Sequence, residues 1–253
     1  MAKILSHATA NSGVIVKLGS CESRTRSTKA WTAVIASSTR LAFSQIPAST
    51  SISSNAPISF ADVANEGEVN AAVAAVTAAL GAPNVLFNHA GSIIIKPFLE
   101  TTLADWEWLM AVNVTSMFLV TKAVLPEMIA AGGGSIVCTS SISAVAATPN
   151  EVVYNASKGA CHMFARAIAV EYRDQNIRCN AVCPGFVRTP HGLREVADLN
   201  KLGVDMSDAA LAVQQGRICE PEEVARAALF LASDEASFIS GAHLFVDNCF
   251  TAV

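Results

Sequence analysis

From about residue 57 to its end, the sequence alternates short apolar runs with stretches of helical spacing, and few folds accommodate that order. Residues 58–61 read as a short strand ending at Asp62. Val69, Val73, Val76 and Leu80 then recur at helical spacing until Gly81 and Pro83 stop them. Val85-Leu86-Phe87 is too short and apolar for an exposed strand and reads as a buried one. Residues 102–130 predict a long helix with Thr102 as N-cap and Asp105 in its first turn. Pro126 is expected to bend or end that helix, and Gly132-Gly133-Gly134 to break the chain there. Ser135 to Ser141 reads as a buried strand running into a polar turn. A helix over 154–174, a strand over 177–182 closed by Pro184-Gly185, a helix opened by Pro221 over 221–232, and a strand over 244–246 complete the series. Such alternation favours parallel pairing with right-handed crossovers. The expected fold is therefore a single α/β domain, a doubly wound and mostly parallel sheet flanked by helices on both faces. Ligands of such sheets bind beyond the carboxyl ends of the strands, where Asn88, Ser141 and Pro184 fall.

Composition narrows the function classes. The net charge of −4 offers no basic face for nucleic acid. Seven cysteines without a Cys-x-x-Cys pair suit neither a complete disulfide framework nor a metal site. No apolar run reaches the roughly 18 residues of a membrane span. The N-terminus lacks the order of a signal peptide, so the cytoplasm is the expected compartment.

Tyr154-Asn155-Ala156-Ser157-Lys158 places a phenol and an ammonium on one helical face, four residues apart. A free tyrosine ionises near pH 10, and a neighbouring cation lowers that value. A fall of roughly 3 units would need about 4 kcal/mol and would leave a group able to exchange protons near neutrality. Ser141, at a strand's carboxyl end facing this helix, is suited to gripping a carbonyl or alcohol oxygen.

With these residues in view, the chain resembles the short-chain dehydrogenase/reductase family, whose fold is Rossmann-like. Asn88-His89-Ala90-Gly91 is similar to the family's Asn-Asn-Ala-Gly motif, with His89 departing from it. Asn113 sits where the family has its helix asparagine, and Ser141, Tyr154 and Lys158 match its catalytic serine, tyrosine and lysine. Asp62-Val63 resembles the pair near the adenine, and Pro184-Gly185-Phe186-Val187-Arg188-Thr189 the segment along the nicotinamide. Residues 231–234 and 239–241 are similar to the C-terminal signature. The resemblance implies an enzyme moving a hydride between NAD or NADP and a small or hydrophobic secondary alcohol or ketone. In it Tyr154 would exchange the proton, Lys158 would lower its pKa and bind ribose, Ser141 would orient the oxygen, and Asn113 would complete a proton relay. Asn88, Ala90, Gly91, Pro184, Gly185, Val187 and Thr189 would join Tyr154 and Lys158 against the cofactor. His89 is expected to be a structural substitute, Trp106, Trp108 and Met110 to be core or oligomer contacts, and the protein to form a homodimer or homotetramer.

The first sixty residues fit this pattern poorly. The glycine-rich phosphate loop has its nearest counterpart in Thr9-Ala10-Asn11-Ser12-Gly13-Val14-Ile15, with one glycine where three are wanted. Residues 4–8 form a weak strand and residues 31–36 a second one. Beyond it Ser37-Ser38-Thr39-Arg40 lacks the acid that binds a ribose 2′-hydroxyl. Asn11 and Ser12 are the remaining phosphate candidates. Ser37 and Arg40 suit a 2′-phosphate, and a solvated Arg40 is the equal alternative. Three readings of the segment stand: a diverged cofactor site, a site remodelled for another ligand, or a slip of reading frame. Two rival functions follow, a dehalogenase-like enzyme on the same fold and a catalytically silent binding protein. Residues 190–216 resemble the variable substrate loop, whose Leu193, Leu199, Leu202, Met206 and Leu211 beside His191 lead us to expect a hydrophobic substrate.

Overall fold

The computed structural model describes residues 13–15, 33–36 and 59–252; Val14 and Ile15 belong to the first of these and Ala33 opens the second. Five strands form one parallel sheet in the order β2-β4-β5-β6-β7: β2 Ala33–Ala36, β4 Val85–Asn88, β5 Gly134–Thr139, β6 Ile177–Pro184 and β7 His243–Val246. β4 is buried at every position, its apolar Val85-Leu86-Phe87 as a central strand covered on both faces must be, and Asn88 with them at its carboxyl end. On one face pack α1 Glu66–Leu80, α3 Ser116–Ala130 and α4 Val152–Glu171. They bury Val69, Val76, Val120, Met128 and Ala165 against Leu86, Ile136 and Cys179. The opposite face is covered by α7 Pro221–Ala232, whose Val224, Ala228 and Leu231 meet Phe87, Val137 and Val182. The doubly wound reading thus holds.

Three expectations change. β3 Ser59–Ala61 stands outside the parallel sheet, paired antiparallel with β1 Gly13–Ile15 in a two-stranded sheet. Gly13, the one glycine of the supposed phosphate loop, is therefore part of a strand. The helix over 102–130 is one continuous rod: α2 Leu103–Met110, a π-helical turn Ala111–Thr115, then α3. Pro126 neither ends nor breaks it, because burial of Val124, Leu125 and Met128 around the proline holds the helix to Ala130. Residues 190–216 are largely helical, as α5 Pro190–Lys201 and α6 Asp208–Gln215. Their start signals are plain: Thr189 caps α5 with Pro190 in its first turn, and Ser207 caps α6.

Among the described residues, Leu103–Ala130 alone is a helix long and apolar enough to cross a membrane. Its Leu119, Val120, Val124 and Met128 are buried in the core, which accounts for that composition. The Thr102 cap is a full capping box with Asp105, whose carboxylate also pairs with Lys96 at 2.7 Å.

Gly133 fixes the turn from α3 into β5. Its φ is +129°, and an added Cβ would lie 2.4 Å from the Asn176 carbonyl oxygen. Gly133→Ala is expected to destabilise the protein by more than about 1 kcal/mol, read as a lower urea midpoint at unchanged slope. A variant of wild-type stability would show that this turn can relax.

Candidate functional site

The carboxyl ends of β4, β5 and β6 open into a cleft. Ser92, Ser141, Tyr154, Lys158, Pro184 and Thr189 are among the residues lining it, with His191 and Glu195 of α5. α4 carries Tyr154 and Lys158 one turn apart, and both are buried. The Lys158 ammonium donates to the Thr139 carbonyl at 3.0 Å and lies 5.5 Å from the centroid of the Tyr154 ring. Ser141 follows β5, with its hydroxyl accepting from the Ser143 amide at 3.1 Å and within hydrogen-bond reach of Tyr154.

The electrostatics run opposite to the sequence expectation for Tyr154. Burial pushes its pKa well above the ordinary tyrosine value, and the Glu195 carboxylate adds to the rise. Its contact with Ser141 opposes these without outweighing them. Desolvation of a phenolate outweighs the nearby ammonium, so the resting group is a neutral phenol.

Asn113 sits in the π-helical turn, a distortion that re-aims side chains and often marks functional positions. Its amide nitrogen donates to the Ser92 carbonyl at 3.0 Å and to Ser157 at 2.9 Å, while its oxygen accepts from the Ser92 amide at 2.8 Å. Both side-chain donor hydrogens are thus committed, and the side chain clamps the loop after β4 to α4. His89 hydrogen-bonds Thr139 at 2.9 Å, in keeping with a structural substitute. Trp108 packs partly buried beside Val153 and Tyr154.

Of the expected cofactor residues, Gly91, Tyr154, Lys158, Pro184, Gly185, Val187 and Thr189 line the cleft. Asn88 and Ala90 line a smaller cavity beside it, together with Asn113 and Thr139. Asp62 and Val63 are not brought there. β3 has left the parallel sheet, Val63 is buried in the core beneath α1, and the Asp62 carboxylate accepts from the Ala64 amide at 2.9 Å. Asn11, Ser12, Ser37 and Arg40 lie outside the described residues. Within the described residues, the donor set fits the nicotinamide–ribose end of a dinucleotide. A buried ammonium and a phenol face the cleft, and the buried side-chain amide oxygen of Asn88 has no partner among the described residues.

Several residues were missed in the sequence. Gln215 of α6 grips Phe186, accepting from its amide at 2.8 Å and donating to its carbonyl at 2.9 Å. A Cβ on Gly185 would strike the Gln215 side chain, so that glycine is required by close packing as much as by any ligand. Glu151 is fully buried just before α4, with the Thr148 side chain as a polar group beside its carboxyl. The four-residue spacing of His191 and Glu195 would have signalled a shared face had 190–201 been read as a helix.

A family model described as enoyl-(acyl carrier protein) reductase matches residues 4–251. The 2-(R)-hydroxypropyl-CoM dehydrogenase of Xanthobacter autotrophicus is 40% identical over 197 residues, covering 76% of this chain and 77% of its own. The chain belongs to the short-chain dehydrogenase/reductase family. A cyclopentanol dehydrogenase of Comamonas is 39% identical over 76% of this chain and 75% of its own. Among solved structures, a Burkholderia cenocepacia gluconate 5-dehydrogenase in complex with NADP and tartrate superposes with a TM-score of 0.69 at 32% identity, covering 76% of this chain and 74% of its own. Like these dehydrogenase/reductases, the protein is an NAD(P)-dependent oxidoreductase of secondary alcohols and ketones. The dehalogenase-like and silent-binder readings give way to this one.

The carboxyl groups at the cleft make stability depend on pH. Burial and the mutual repulsion of the pair raise Glu151 to about 9, and burial raises Glu195 to about 7. The folded protein therefore holds protons that the unfolded chain releases near the ordinary carboxylate value. Stability is then present at acid pH and lost as pH rises through these two values. Glu151→Gln is expected to match the wild type in melting temperature near pH 5 and to exceed it increasingly towards pH 9. Equal melting temperatures across that range would contradict a protonated Glu151.

Proposed function

We propose that Tyr154 exchanges the proton with the substrate oxygen, that Ser141 orients this oxygen, and that Lys158 supports both the phenol and the ribose hydroxyls. What supports this most is the placement of two buried hydroxyls, Ser141 and Tyr154, within reach of each other on the cleft wall. The bound nicotinamide supplies the hydride half of the chemistry, and the protein supplies placement and charge. A neutral phenol is a proton donor, so the resting enzyme is poised to protonate a carbonyl oxygen. Alcohol oxidation needs the same group without its proton and should accelerate as pH rises towards the tyrosine range. Asn113 is a positioning residue, keeping Ser92 and α4 in register. Partly exposed Trp106, Phe118 and Met163 support pairing of copies into a homodimer or homotetramer across α2, α3 and α4.

Tyr154→Phe is expected to lower kcat by about 10²- to 10⁴-fold, the range of general acid–base catalysis, while fluorescence titration with NADH or NADPH still shows binding. Full turnover by this variant would remove Tyr154 from the chemistry.

A further inference from the structure

The sequence points to an apolar substrate, but the apolar residues of 190–216 are spent elsewhere. Leu199, Met206 and Leu211 are buried in a satellite core with Ile142 and Phe186, and Leu193 and Leu202 face solvent. What α5 turns into the cleft is a polar pair, His191 and Glu195, four residues apart. Glu195 makes no hydrogen bond or ion pair among the described residues, although it lines the same cleft as Ser141 and Tyr154. An ionised carboxylate only accepts hydrogen bonds. A substrate that filled this cleft without offering a donor would strip water from Glu195 and leave it unpaired.

Glu151 decides the charge in this corner. It lies three residues before Tyr154, wholly enclosed, with the Thr148 side chain beside its carboxyl. Two like charges sharing a poorly solvated space do not both ionise. Burial raises Glu195 to about 7 against the pull of Lys158 and Arg194, and Glu151 is raised further, to about 9, so of the two Glu195 is the one that gives up its proton first. With Lys158 facing the same cleft, the charge Glu195 then carries is already balanced and does not call for a cationic ligand. His191 is kept neutral by burial and by Arg194. The fitting partner is a neutral donor, a hydroxyl.

We propose that Glu195, backed by Glu151, determines specificity by accepting a hydrogen bond from a second hydroxyl of the substrate, so that the enzyme prefers diols and polyols to simple secondary alcohols. This rests on the oxidoreductase reading above. A site built to pair a hydroxyl discriminates against the analogue lacking it far more strongly than an apolar pocket does.

The test compares kcat/KM for 2-pentanol, 2,3-pentanediol, 2,4-pentanediol and 1-amino-2-propanol in the wild type, Glu195→Leu and Glu195→Gln. The wild type is expected to favour a diol. Glu195→Leu should lower the diol-to-pentanol ratio at least tenfold, about 1.4 kcal/mol, mainly through the KM of the diol. Glu195→Gln, whose amide oxygen still accepts, should lower it less. An unchanged ratio in Glu195→Leu, or a wild-type preference for 2-pentanol or the amino alcohol, overturns this proposal alone. Turnover of none of the four overturns the oxidoreductase reading and this proposal with it.

Discussion

The seating of α4 against the carboxyl ends of β5 and β6 is the constraint on which the rest of the site depends. It brings a phenol and an ammonium out of water together and lays both along a wall that β5 and its following turn complete. Ala165, Cys161 and Ala169 are the small buried residues that let the helix approach the sheet closely. Ser140 ties the strand end to the helix by donating to the Lys158 carbonyl at 3.2 Å, and Asn113 ties the preceding loop to it through Ser157. Side chains held by such second contacts keep their geometry without the cofactor, which is what preorganisation requires.

Burial has two consequences in this corner, and they pull apart. It strengthens the interaction of Lys158 with whatever polar group comes near, because the local dielectric is low. It also penalises the phenolate, and in the resting protein that penalty prevails. Glu151 and Glu195 belong to the same balance. Their repulsion and desolvation keep one carboxyl neutral, and Lys158 offsets the charge on the other. The site is thus two carboxyls and a phenol with raised pKa values around the Lys158 side chain, rather than a tyrosine–lysine pair.

Much of the fold was legible in the sequence because its signals are local. Thr102 with Asp105, Pro221 at a helix start and the apolar runs at β4, β5 and β6 each declare their element within a few residues. The Tyr154–Lys158 pair was legible for a related reason, since a helix converts a four-residue spacing into a shared face. What escaped depends on tertiary context. Nothing local to 58–61 says whether that strand joins the parallel sheet or pairs with β1. Pro126 signals a break that core packing overrides. α5 was hidden by reading its leucines as pocket lining, although Thr189-Pro190 carries a helix start. The tyrosine's charge state escaped because spacing reveals the nearby cation and not the depth of burial.

The protonation state of Tyr154 is the central claim, and tyrosinate absorbance measures it directly. The chain has two tyrosines, so Tyr172→Phe leaves Tyr154 as the only reporter. In the cofactor-free variant the account predicts ionisation well above the ordinary value of about 10. A midpoint near neutrality would contradict it and would return the dominant role to the ammonium of Lys158.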